Sequence, residues 1–222
     1  MSLLASLSDL IFPTRCLGCL ELGPTICSKC RIFWHPHIYR GSYGKDSHTL
    51  KIYSSVQYSA VAQRVLLGSK ESGLTLADHL VEAGITNSLK YFIREVGMGV
   101  LVPIPSRASM VRKRGRRVLS DLIASVIQEN QEDSQIFHTY ELLTHLRSVR
   151  DQSTLNRSQR ERNLEGALRV IKSVKIDSQR PIILVDDLVT SGATLLEAAR
   201  ALRMEGLIVL GAVTACVSQP LR

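Results

Sequence analysis

No apolar run in this sequence approaches the ~20 residues that a helix needs to cross a bilayer, so no membrane span is expected. The N-terminal stretch Met1–Pro13 lacks a basic leader and carries Asp9 among its apolar residues. That argues against a secretory signal and for a short amphipathic helix, and a cytoplasmic location is the expectation. Internal repeats and low-complexity tracts are also missing, which speaks against a solenoid or a disordered chain. Acids are the minority charge: 20 Asp and Glu stand against 28 Lys and Arg, for a net charge of +8. A basic balance suits polyanionic partners such as nucleic acid, phosphate-rich ligands or anionic lipid.

The 222 residues amount to about one and a half typical domains of ~150 residues, room for one solid core and a small appendage. The hydrophobic share of 45% and charged share of 22% are those of an ordinary globular protein. The excess positive charge is placed rather than spread. Six Arg or Lys lie within Arg107–Arg117 and six more Arg within Arg147–Arg169. The bland reading of either run is a solvated face; the clustering favours contact with phosphate or nucleic acid.

Cysteine is scarce but patterned. Four of the five residues form Cys16-x2-Cys19-x7-Cys27-x2-Cys30. Two CxxC units suit tetrahedral Zn²⁺ held by four thiolates in a compact knuckle, stabilising a segment too small to bury a core of its own. A redox CxxC is the alternative, with no thioredoxin-like pattern to support it. His35, His37 and His48 read as surface or packing residues and Cys216 as a buried core residue.

Along the chain, residues 1–13 read as helix, 14–31 hold the cysteines, and 32–58 form short strands and loops tying the appendage to the body. Apolar spacing predicts helix over 59–96, broken by Gly97-Met98-Gly99, and again over 117–130. A short apolar run at 100–105 leads into a basic loop; strands are expected at 139–146, 168–174, 181–185 and 207–217, with a helix at 193–205. Residues 147–165 are polar, Arg-rich and unpatterned, which suits a long loop or an exposed helix. Strands alternating with helices predict an α/β domain with a mainly parallel sheet. The division expected is 1–58 for the N-terminal helix and cysteine element and 59–222 for the α/β domain.

The most informative stretch is Ile182-Ile183-Leu184-Val185-Asp186-Asp187, followed by Thr190-Ser191-Gly192-Ala193-Thr194 and a helix. Ligands of open α/β sheets bind at the carboxyl ends of strands. A turn entering a helix offers free N–H groups and the positive end of a dipole, and Gly192 permits close approach of an anion. The two acids cannot hold phosphate. They suit sugar hydroxyls, or a Mg²⁺ bridging sugar and pyrophosphate. The plainer alternative is that acids and hydroxyls merely cap a helix.

This succession resembles the signature of type I phosphoribosyltransferases, with Ser191 in place of a second Thr. The resemblance implies that Asp186 and Asp187 hold the ribose hydroxyls as the catalytic pair. It implies that Val189, Thr190, Ser191, Gly192, Ala193 and Thr194 bind the 5′-phosphate. Together with the cysteines, Lys70 with Gly73, Val102-Pro103-Ile104-Pro105, Arg114-Gly115 and Arg160-Glu161-Arg162-Asn163-Leu164, the chain resembles the ComF (competence protein F) family. That family joins an N-terminal zinc element to a phosphoribosyltransferase-like domain. Arg116 and Arg117 depart from it, standing where the family has an aromatic residue and Asn. The resemblance makes Pro103–Arg112 the pyrophosphate loop and Arg147–Leu164 a mobile loop that closes over the substrate. Ser106, Arg107, Arg112, Arg114, Arg147, Arg160 and Arg162 would then contact pyrophosphate or nucleic acid. It also implies phosphoribosyl pyrophosphate with Mg²⁺ as ligand and single-stranded DNA handled during natural transformation. A competence helicase or recombination mediator would be a partner. Two functions stay open: a binding protein of DNA uptake, and an active transferase using a base or nucleotide acceptor.

Overall fold

Four apolar residues, Ile182–Val185, sit inside a five-stranded sheet. The computed structural model describes residues 14–44, 49–129, 138–146 and 166–218. In chain order the elements begin with α1 (Ser28–Arg31), a 3-10 turn (Ile32–Trp34), β1 (Tyr39–Tyr43) and β2 (Leu50–Gln57). Then follow α2 (Ala60–Ser72), α3 (Thr75–Glu95), β3 (Val100–Pro103), α4 (Ala108–Arg114) and α5 (Val118–Glu129). The last are β4 (Leu143–His145), β5 (Leu168–Val170), β6 (Ile182–Val189), α6 (Ala193–Met204) and β7 (Val209–Val217).

The strands run in the order β1-β2-β7-β6-β3. β2, β7, β6 and β3 are parallel, and β1 is antiparallel on the outer edge of β2. Both faces of β6 and β7 are buried along most of their length, as continuous apolar strands of a parallel sheet require. α3 lies along β2 and β7 with Ala77, Val81, Ile85, Leu89 and Phe92 inward. Its 21 residues give it a length of about 32 Å. The approach is close because small residues meet: a Cβ on Gly84 would lie 3.1 Å from that of Ala215. α6 packs against β5, β6 and β7.

α2 begins at Ser59, whose hydroxyl accepts from the Ala62 N–H, and ends at Gly73, which adopts the left-handed conformation (φ 57°). This splits the helix expected over 59–96 into α2 and α3. β6 is longer than the expected 181–185. β7 keeps pairing beyond the apolar run, with Asp186 opposite Thr214, Leu188 opposite Cys216 and Val189 opposite Val217. The two acids therefore sit within the strand. The loop expected over Pro103–Arg112 is loop only as far as Arg107; Ala108–Arg114 closes into a short helix stopped by Gly115 (φ 70°). The strand expected at 168–174 keeps three residues, which pair with β4 in a separate two-stranded ribbon.

The boundary expected at residue 58 falls just after β2, and β1 and β2 are strands of the main sheet. Buried Cys16, Ile26, Cys30 and Trp34 share one apolar core with Val61, so the cysteine element is built onto the α/β body. The expected helix over 1–13, the loop 147–165 and its residues Arg147, Arg160 and Arg162 lie outside the described residues, as does His48.

Candidate functional site

β6 delivers Asp186 and Asp187 to the end of α2, where Lys70 forms an ion pair with Asp187. Burial alone would lower the Lys70 ammonium, but the charges of Asp187 and Asp186 reverse this and raise it. Burial would likewise raise Asp187, but the Lys70 charge outweighs it and holds that carboxyl below its ordinary range. Asp186 is pushed well above the ordinary range, by burial first and by the Asp187 charge second. The same burial and the same lysine thus act unequally on two adjacent carboxyls, drawing their titrations apart. Asp186 is also tied to the backbone, its Oδ1 accepting from the Asp187 N–H at 2.9 Å.

The acids open on a cavity of about 180 Å³ between β6, α2, the loop after β3, α4 and α5. Lys70, Ser106 and Arg114 face the same space over an apolar floor that includes Leu66, Val81 and Leu122. The Arg114 side chain is only 13% exposed and pairs with Glu71. Its Nε is buried and donates to no group among the described residues. A buried donor without a partner costs about 1–3 kcal/mol, and a ligand oxygen would relieve it.

Of the anion-contacting residues expected from sequence, Ser106 and Arg114 join the acids. Arg107 is the residue that opens α4, and Arg112 lines a different cavity. Much of the basic cluster is already neutralised. Lys113 and Arg114 share Glu71, Arg116 grips both oxygens of Asp78 at 3.0 and 2.9 Å, and Arg117 pairs with Glu141. Ser69 adds a hydrogen bond to Asp78 at 2.6 Å, and Ser120 one to Glu141 at 2.8 Å. Arg116 and Arg117, the two departures from the family pattern, thus fasten α4 and α5 to acids elsewhere in the fold.

The turn after β6 is not part of the cavity wall. Gly192 is left-handed (φ 75°) and starts α6, while the Ser191 hydroxyl accepts weakly from the Ala193 N–H at 3.5 Å. The ring of Tyr43, at the end of β1, packs against Gly192: an added Cβ would come within 2.4 Å of it. Its hydroxyl reaches the Thr190 carbonyl at 3.5 Å. Val189 ends the strand opposite Val217, and Thr194 lies in the first turn of α6.

The cysteines come together as expected. The sulfurs of Cys16, Cys19, Cys27 and Cys30 all lie within 4.8 Å of one another, with Cys19 and Cys27 at 3.8 Å. Four sulfurs held tetrahedrally ~2.3 Å from an ion would stand about 3.8 Å apart, so these four could hold a metal ion. Neither His35 nor His37 belongs to the cluster. The backbone is shaped to the group. Leu20 is left-handed (φ 66°), the only such non-glycine residue among those described, and its N–H returns to the Cys16 carbonyl. Gly18 cannot carry a side chain, since a Cβ would sit 2.6 Å from the Cys30 sulfur. Burial works to raise the Cys16 thiol, but N–H groups of Cys27, Cys19 and Gly18 outweigh it and bring it down to about 6. Cys30, without such donors, is pushed up to about 12 by burial. α2 ties the element to the site: Arg64 donates to the Gly18 carbonyl at one end, and Lys70 stands at the other. Cys216 is fully buried in β7, as expected. Among the described residues no helix is long and apolar enough to cross a membrane.

Two site residues were not singled out for a role from sequence. Lys70 entered only as part of the resemblance, and Tyr43 had no role assigned; neither has a local signal, because their partners stand more than a hundred positions away. No protein-family model matches this chain, and no curated protein matches it significantly.

Proposed function

We propose that the cavity at Asp186 and Asp187 binds phosphoribosyl pyrophosphate with Mg²⁺, in a ComF-like protein of phosphoribosyltransferase type. The observation that carries this reading is the joining of opposites in one small space. Two acids suited to sugar hydroxyls or a divalent ion face Lys70, Ser106 and the unpartnered Nε of Arg114, all suited to phosphate oxygen. In this reading Asp186 holds a ribose hydroxyl or Mg²⁺, and Lys70 fixes Asp187 so that the pair is not mobile. Arg114 and Ser106 orient the pyrophosphate, and the Thr190–Thr194 turn, beyond the cavity wall, takes the 5′-phosphate. Mg²⁺, when bound, would neutralise the pyrophosphate and ease its departure. The four cysteines would hold structural Zn²⁺.

For the wider role we favour binding in the handling of single-stranded DNA during natural transformation, with a competence helicase or recombination mediator as partner. The basic composition supports this; the pairing of Lys113, Arg114, Arg116 and Arg117 with acids leaves it a weaker footing than the pocket. The other reading is a transferase acting on a base or nucleotide in nucleotide metabolism. Its rate would come from positioning and electrostatics rather than covalent catalysis.

Calorimetry with phosphoribosyl pyrophosphate and Mg²⁺ tests the pocket. Binding should weaken at least tenfold in the Asp186→Asn/Asp187→Asn variant, and equal binding by both proteins would refute the site. Pyrophosphate release across bases and nucleic acids then separates enzyme from binder. A steep salt dependence of single-stranded DNA affinity would support phosphate-backbone contact.

A further inference from the structure

A second cavity, about 360 Å³, lies on the other side of the loop that follows β3. Ile104, Pro105, Ser106 and Leu119 line both spaces, so one short segment is their common wall. The second space is within the size range of small-molecule sites and has their composition, apolar walls with a few placed polar groups. Leu119, Leu143 and Ile171 belong to its apolar lining.

His145, at the end of β4, is the polar group that sets its chemistry. One ring nitrogen, Nε2, lies 3.0 Å from the Pro105 carbonyl. A carbonyl only accepts, so Nε2 carries the proton and Nδ1 of the neutral ring has a free lone pair. That Nδ1 is buried and has no partner among the described residues. Arg112 lines the same cavity from α4, exposed and in no ion pair with the described acids, unlike Lys113, Arg114, Arg116 and Arg117. Glu141, by contrast, is occupied by Arg117 and Ser120.

From these groups we infer that the second cavity is a separate binding site for a small planar molecule. Its ligand carries one N–H or O–H donor and one anionic oxygen group. The donor meets Nδ1 of His145, the flat body lies between Leu119 and Leu143, and the anion meets Arg112 at the mouth. Two sources share this chemistry, a nucleoside monophosphate and a hydroxylated aromatic acid. Because His145 also holds the Pro105 carbonyl, an occupant here bears on the wall of the first cavity. The inference does not depend on what fills that first cavity.

The test is calorimetry of the full chain with two probes, uridine 5′-monophosphate and 4-hydroxybenzoate. The wild type should bind one of them with a sub-millimolar Kd, and which one identifies the source. His145→Gln retains a donor near Nε2 for Pro105 but lacks Nδ1, and should weaken the probe at least tenfold. Arg112→Ala, on the surface, should weaken it about tenfold. Asp186→Asn/Asp187→Asn should leave probe binding intact, and His145→Gln should leave phosphoribosyl pyrophosphate binding as it is in the wild type, so the two sites succeed or fail apart. No binding of either probe, or unchanged binding in His145→Gln and Arg112→Ala, overturns the inference.

Discussion

Lys70 and Asp187 show how much of the site is a matter of single charges. Asp187 is almost fully buried, and removing its cation leaves an anion with nothing to face. Lys70→Met should destabilise the chain by about 2 kcal/mol, below the usual cost of breaking a buried pair because Lys70 is more than a third exposed. The pH dependence follows from the direction of the Asp187 shift. Its folded pKa lies below the unfolded value of ~3.9, so its stabilisation is fully present above that value and is lost as pH falls through the folded one. In Lys70→Met burial acts unopposed and raises Asp187. The deficit should therefore be largest at neutral pH and shrink in acid, and adding Asp187→Asn should restore stability. Urea melts at several pH values read this out, and a pH-independent deficit would contradict the pairing argument.

Gly192 is the other residue on which the site turns. Its left-handed backbone costs a side chain about 1 kcal/mol, and the Tyr43 ring occupies the space a methyl group would need. Gly192→Ala should lower stability by more than 1 kcal/mol, and Gly192→Ala/Tyr43→Ala should recover the part due to the clash. A fully neutral Gly192→Ala in thermal melts would mean the ring does not rest there.

At the scale of elements, what the sequence reveals depends on how local the cause is. β6 and β7 are plain because both faces are apolar, and the cysteine element because its spacing is its chemistry. β2 is harder to see. Ser54 and Ser55 interrupt its apolar pattern, and both are buried only because Thr214, Gly84 and Ala215 satisfy them from elsewhere in the fold. α4 hides for the opposite reason: none of its residues is buried, so it has no apolar stripe to read. The acids and the turn after them were legible as a motif, whereas the partners of Arg114, Arg116 and Arg117 were not, since each acid comes from another element. The cysteine element and α2 are one mechanical unit through Arg64 and Gly18. If the four thiolates hold zinc, the purified chain carries one equivalent, and a strong chelator should lower its melting midpoint. Cys19→Ser, at the exposed corner of the cluster, should weaken metal retention without unfolding the sheet. Metal content by mass spectrometry and thermal melts decide this, and a metal-free protein of unchanged stability would count against it.

The whole molecule is held by contacts distant in sequence. Ser54 and Thr214 meet at 2.6 Å across 160 positions, and β2 has its central partner only in β7. The consequence is temporal. While the chain is being made, the β1–β2 hairpin exists long before the strand that covers its inner edge, and Leu50, Ile52 and Val56 wait with that edge unpaired. Parallel pairing over such separations forms late, and an open strand edge is a template for another copy of itself. Interrupting synthesis before Val209 would therefore yield, instead of a smaller sheet, two half-sheets with open edges, prone to self-association.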